Sequence, residues 1–197
     1  MSKKEIIWRE ILIRAREKKA AVLTQKELAA TFGFSLSTVF NALKIPRASN
    51  IITVTGRNFR LNSYQKLLYL WASCRSLPKE IIFRTKIDAD AGKIESLMPP
   101  DIVFGLYSAA TLYYKKAPAD YDHVYIYCDK KGLNEVLGRL PPLDKKNKNY
   151  NFFVLQKDQW LDTRKDFPPE QAFVDIWNAP EWYAKDFLRA IEEQLPV

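Results

Sequence analysis

The run from Thr24 to Pro46 constrains this chain more than any other stretch of it. Thr24-Gln25-Lys26-Glu27 sets a hydroxyl residue three positions ahead of a carboxylate. The Thr24 hydroxyl can then accept from the Glu27 amide while the Glu27 carboxylate reaches back to the Thr24 amide, which marks the start of a helix. That helix is expected to turn Leu28 and Ala29 inward as far as Gly33, where a residue tolerating positive φ permits a sharp turn. Ser35 then caps a second helix in which Leu36, Val39, Phe40 and Leu43 fall at i, i+3, i+4 and i+7, and Pro46 is expected to close it. Two short helices across a glycine turn, with small Ala29 where they approach, have the layout of a helix-turn-helix. Ala42 is smaller than the branched residue usual near the end of that motif.

The flanking segments extend the pattern. Ser2 to about Lys19 brings Ile7, Trp8, Ile11, Leu12 and Ala15 to helical spacing with charged residues between them, an amphipathic helix. Ile51 to Val54, Thr55-Gly56-Arg57-Asn58 and Phe59 to Leu61 read as strand, turn and strand, with glycine in the connection. Residues 1–62 therefore resemble a winged helix-turn-helix domain in which the hairpin is the wing. A small helical domain that uses the same packing for protein contact is the alternative. Residues 63–80, with Leu67, Leu68, Leu70, Trp71 and Cys74 at helical spacing before Pro78, read as a connecting helix with Cys74 on its apolar face.

Charge separates the two parts of the 197-residue chain. Its formal charge is +8, from 31 Lys+Arg against 23 Asp+Glu. Residues 1–62 hold 12 basic and 4 acidic residues, so 31 − 12 = 19 basic and 23 − 4 = 19 acidic residues remain for 63–197. All the excess belongs to the first part, the pattern of a nucleic-acid-binding module beside a neutral one, although a solvated cationic surface has the same composition. On the second helix of the motif, Ser35, Ser37, Thr38, Asn41 and Lys44 lie off the apolar face and are short or flexible enough to reach bases or phosphates. Asn41 is the preferred base reader, because a carboxamide pairs bidentately with adenine; a surface asparagine without a partner is the equal alternative. Arg47, Arg57 and Arg60 suit backbone phosphates, and Arg57 also suits a minor groove.

Several classes are disfavoured. No apolar stretch nears the roughly 18 residues of a membrane span, and no signal-peptide pattern opens the chain, so a cytoplasmic protein is expected. Two separated cysteines, Cys74 and Cys128, and the single His123 argue against zinc sites, a disulfide framework and most Ser-His or Cys-His catalysis. Neither metal nor cofactor is expected.

From Ile81 the periodicity changes. Ile81 to Phe83, Ile102 to Phe104, Val124 to Tyr127 and Phe152 to Leu155 are strand candidates, and Ser108 to Tyr114, Leu133 to Leu140 and Pro180 to Gln194 are helical. The chain is thus expected to be mixed α+β, with a winged helix-turn-helix at 1–62, a connector at 63–80 and an α/β domain at 81–197.

This order, together with Phe104 to Leu112, Tyr121 to Tyr127, Gln171 to Asn178 and Trp182-Tyr183-Ala184, resembles the AbiEi-type antitoxins and related archaeal and bacterial transcriptional regulators. The resemblance spans most of the chain, but outside the first domain its motifs are short and apolar. It implies a winged helix that binds double-stranded operator DNA and represses its own operon. It also implies a carboxy-terminal domain that opposes a partner toxin, typically a nucleotidyltransferase encoded alongside. Ser37, Thr38, Asn41, Lys44, Arg57 and Arg60 carry over as DNA contacts, and no toxin contact carries over. Some regulators of this shape stand alone, and a homodimer suits two-fold operators.

A rival activity lies in the same segment. Nucleotidyltransferases follow a strand with Gly and a second small residue, then some dozen residues later an Asp-x-Asp pair that binds Mg²⁺. Gly105 and Asp120-Tyr121-Asp122 come near that spacing. Leu106 stands where the second small residue belongs, and His123 replaces the apolar residue after the pair. A degenerate relative of that fold, or solvated turn aspartates, accounts for the same residues. The basic stretch Lys145 to Asn149 reads as a solvated loop, and Trp160, Trp177, Trp182, Tyr183 and Phe187 as core first and partner surface second. His123 beside Asp122, with no nucleophile, reads as structural.

Overall fold

A computed structural model describes residues 1–18, 22–115, 117–143, 146–161 and 167–196. The chain is mixed α+β with two small sheets and forms two compact units, Met1–Arg75 with Leu195 of the carboxy terminus, and Ser76–Gln194. Lys145 of the basic loop lies outside the described residues.

The first unit runs α1 (Lys3–Lys18), β1 (Val22–Thr24), α2 (Gln25–Phe32), α3 (Leu36–Ala48), β2 (Ile52–Thr55), β3 (Asn58–Leu61) and α4 (Tyr64–Cys74). At the head of α2 the Thr24 hydroxyl accepts from the Glu27 amide, and the Thr24 amide donates to the Glu27 carboxylate. Gly33 ends the helix in the left-handed region at φ 65°, where the missing Cβ removes the penalty other residues meet. Ser35 then caps α3, its hydroxyl accepting from the Thr38 amide. Val39, Ala42, Leu43 and Pro46 face the core.

This stripe differs from the expected one. Val39 and Leu43 are buried as expected, but Leu36 and Phe40 are 57% and 47% exposed. Both stripes have helical spacing, and burial of small Ala42 and Pro46 brings α3 close to the core and rotates Leu36 and Phe40 outward. Pro46 does not close the helix either, for α3 continues to Ala48. Only the Ala42 carbonyl loses a helical donor to the proline ring, and the Trp8 indole supplies the replacement at 2.8 Å.

Strand β1, which the periodicity does not reveal, pairs antiparallel with β3, and β3 with β2, in the order β1-β3-β2. Thr55 lies opposite Asn58, so Gly56-Arg57 is a two-residue turn with Gly56 at φ 58°. Along β3, Phe59 and Leu61 are buried and Asn58 and Arg60 exposed, the period-two alternation of a half-covered sheet.

Helix α1 is buried from Glu5 to Ile13 rather than on one stripe. Ser2 and Glu5 form its amino-terminal cap, and the second oxygen of Glu5 accepts from Trp71 and Arg75 at 3.4 and 3.3 Å. This attachment explains why α4 clusters with the first unit, where the sequence pattern alone reads a connector between domains. Cys74, expected on its apolar face, is exposed at the last position of the helix.

The second unit begins with a 3₁₀ turn, Leu77–Glu80, and continues β4 (Ile81–Thr85), α5 (Ala91–Ser96), β5 (Val103–Phe104), α6 (Leu106–Tyr114), β6 (Val124–Cys128), α7 (Lys130–Arg139), β7 (Phe152–Gln156), α8 (Pro169–Trp177) and α9 (Ala184–Glu192). Its sheet has the order β4-β7-β6-β5, with β6 and β7 parallel and both outer pairs antiparallel. Every residue of β6 is buried, as in a strand covered on both faces. Val124, Ile126, Phe152 and Val154 pack with Ile94 of α5 and Val136 of α7 on one face. The alternate residues Tyr125, Tyr127 and Phe153 face the other way.

Candidate nucleic-acid interface

The proposed contact residues are set out by the geometry of α3 and the hairpin. Ser37, Asn41 and Lys44 are exposed and recur at i, i+4 and i+7, one line along α3. Thr38 is half-buried, and Ser35 is engaged as the helix cap, its hydroxyl 2.9 Å from those of both Ser37 and Thr38. Those three hydroxyls therefore order the first turn of α3, whatever else they touch. Arg47 is exposed in the last turn, Arg57 at the hairpin turn and Arg60 on the outer face of β3 opposite Thr53.

Lys44 and Arg47 share a cleft of about 350 Å³ with Phe40, with Gln25 at the start of α2 and with Val54 of β2. The cleft joins α2, α3 and the hairpin into one concave surface. Gln25 is a residue that periodicity does not single out; the signal for it is its place directly after the Thr24 cap, where backbone amides point outward. The Lys44 ammonium lies 5.6 Å over the Phe40 ring, a cation–π contact. From Leu28 to Lys79 the sequence has no Asp or Glu, so α3 and the hairpin carry Lys44, Arg47, Arg57 and Arg60 with no acidic residue in the same segment.

The second unit holds a polar cluster that sequence reading passes over. Glu181 accepts from the Tyr107 and Tyr125 hydroxyls at 2.8 and 2.7 Å. Burial first, and then the Glu181 carboxylate, push both phenols far above the ordinary tyrosine range. Close by, the Tyr183 hydroxyl donates to Asp122 at 2.8 Å, and His123 Nδ1 lies 2.6 Å from the same carboxylate oxygen. Burial opposes ionisation of Asp122, but the hydrogen bonds from His123 and Tyr183 outweigh it and hold the carboxyl below its usual value. The His123 ring stacks on Phe153 at 5.8 Å. These contacts make His123 part of a packed, hydrogen-bonded layer.

The residues of the rival activity also have local occupations. A Cβ on Gly105 would lie 2.8 Å from Cε2 of Tyr127, so close ring packing requires glycine there. Asp122 is engaged as described, and Asp120 is exposed. Among the described residues no group of three or more His, Cys, Asp or Glu is arranged to hold a metal ion. No helix among them is long and apolar enough to cross a membrane. Of the late aromatic residues, Tyr183 and Phe187 are buried, whereas Trp177 and Trp182 are 47% and 76% exposed.

Compared with protein-family models, curated proteins and solved structures, the chain matches none of them.

Proposed function

We propose that the first unit is a winged helix-turn-helix that binds double-stranded DNA, with α3 in the major groove and the β2–β3 hairpin as the wing, and that the protein is a cytoplasmic transcriptional regulator. The observation that carries this reading is the surface of α3: Ser37, Asn41 and Lys44 in line, with Arg47, Arg57 and Arg60 on the same acid-free segment. Short polar groups on an exposed helix supply hydrogen bonds to base edges, and flanking cations supply the salt-dependent attraction to phosphates. Gln25, Lys44 and Arg47 around one cleft suit a backbone phosphate. Asn41 is assigned to a base, and Arg57 and Arg60 to the backbone beside the helix.

The test is binding to duplex DNA across a salt series. Lys44→Ala with Arg57→Ala weakens binding and reduces the slope of log affinity against log salt by about one unit per lost phosphate contact. Absence of binding by the native protein at low salt overturns the reading.

For the second unit we infer a partner-binding role, in the specific form of an autoregulating antitoxin opposing a nucleotidyltransferase. The exposed Trp177 and Trp182 favour it, because large aromatic side chains in water are characteristic of interface centres and both belong to segments that carry the family resemblance. Co-purification with the product of the adjacent gene, weakened by Trp182→Ala, tests it; a solitary protein with an unrelated neighbour favours a stand-alone regulator. Nucleotidyl transfer by the chain itself has less support, since Tyr127 accounts for Gly105 and His123 and Tyr183 engage Asp122.

A further inference from the structure

The outer stripe of α3 contains more than polar groups. Leu36, Ser37, Phe40, Asn41 and Lys44 occupy i, i+1, i+4, i+5 and i+8, one continuous face, and its two apolar members are about half exposed. A helix that only hydrogen-bonds to bases has no use for Leu and Phe in that line, and leaving both in water has a cost that burial against a partner recovers. The surrounding charge says which kind of partner. Lys44 lies over the Phe40 ring, Arg47 borders the same cleft, and no Asp or Glu occurs between Glu27 and Glu80, so the face suits a polyanion. The apolar group that duplex DNA presents in the major groove is the thymine C5 methyl.

We propose that Leu36 and Phe40 read thymine methyl groups, so that the cognate site carries thymines where Asn41 and Ser37 alone would not require them. This rests on the DNA-binding reading above and names its specificity. Four residues of helix span about 6 Å at ~1.5 Å per residue, and base pairs are spaced at about 3.4 Å. The two thymines therefore lie about two base-pair steps apart, on either strand.

The experiment selects a tightly bound duplex from a randomised pool using the full-length chain, then replaces each thymine singly with deoxyuridine. That exchange removes one methyl and leaves every hydrogen-bonding group in place. The expected result is a loss of about fourfold in affinity at one or two thymines, the factor for one desolvated methyl, and none elsewhere. In Phe40→Ala the thymine-to-deoxyuridine ratio at one of these positions falls to one, while Lys44 and the arginines keep their charges and binding stays salt-dependent. Phe40 is exposed, so this variant folds; circular dichroism and unchanged elution on gel filtration verify it.

A native protein that binds its selected duplex tightly but ignores every deoxyuridine overturns the methyl reading and leaves DNA binding standing. Failure to bind any duplex overturns both. A Phe40→Ala protein whose oligomeric state changes while its thymine discrimination is retained shows the stripe to be a protein contact, and the proposal fails.

Discussion

The indole N–H of Trp8 donates across 2.8 Å to the carbonyl of Ala42, the one carbonyl of α3 whose helical donor would come from position 46. Proline has no N–H to give, so a residue of α1 completes a bond that α3 cannot make for itself. The helix continues past Pro46, and Lys44 and Arg47 stay on one rigid element. Trp8 is fully buried, so neither group has water as a substitute partner.

Trp8→Phe is therefore expected to destabilise the first unit by about 1–3 kcal/mol through the unpaired carbonyl, beyond any loss of packing. In a Pro46→Ala background the new amide can serve Ala42, and the penalty of Trp8→Phe shrinks. Denaturant unfolding of the four proteins gives the coupling; equal penalties in both backgrounds sink the assignment.

Glu5 makes the stability of the first unit sensitive to acid. Burial opposes its ionisation, but hydrogen bonds from Ser2, the Arg75 charge and Trp71 together hold its pKa below the ordinary 4.5. A carboxyl depressed in the folded state contributes stability that is present above 4.5 and lost as pH falls through the folded value. Glu5→Gln is expected to be less stable at neutral pH and to show a flatter decline in acid. A decline as steep as the native protein's would place the acid sensitivity elsewhere.

Two glycines are required for different reasons, and alanine separates them. At Gly33 an added Cβ would have nothing within 4 Å, so Gly33→Ala costs only the left-handed backbone, about 1 kcal/mol. At Gly105 the added carbon meets the Tyr127 ring, and that ring is held because its hydroxyl donates to the buried Asp175. Overpacking of this kind costs about 1–3 kcal/mol, so Gly105→Ala should be the more damaging in thermal unfolding of the respective units. The reverse order would mean that Tyr127 yields easily.

Local chemistry in the sequence was enough to locate the Thr24 box, the Gly33 turn, the Ser35 cap and the Gly56-Arg57 hairpin, because each depends on residues a few positions apart. Where distant residues decide, the sequence pattern misled. The orientation of Leu36 and Phe40 depends on the burial of Ala42 and Pro46 beneath them, and the length of α3 depends on Trp8, 34 positions upstream of its acceptor. Strand β1 is three residues long and is defined by its pairing with β3. Gln25 joins the candidate site through the same long-range packing. Glu181 was invisible for the related reason that its partners, Tyr107 and Tyr125, are separated from it by more than fifty residues.

The tyrosine layer around Glu181 leads to an alkaline counterpart of the acid prediction. Tyr107, Tyr125 and Tyr183 are raised above the ordinary 10.0 by burial and then by the Glu181 or Asp122 carboxylates, and burial and then the Glu95 carboxylate push Tyr121 up to about 12. A raised phenol contributes stability that is fully present below 10.0 and lost as pH rises from there toward the folded value. These four tyrosines should resist ionisation until the second unit opens, so part of the ultraviolet phenolate signal should rise together with loss of the circular dichroism signal. Glu181→Gln removes the anion and leaves one acceptor oxygen where Tyr107 and Tyr125 use two. Burial, the larger cause, persists, so ionisation begins at lower pH without returning to the free value. If all ten tyrosines titrate near 10.0 while the fold stays intact, the layer is not closed to water and this account of it fails.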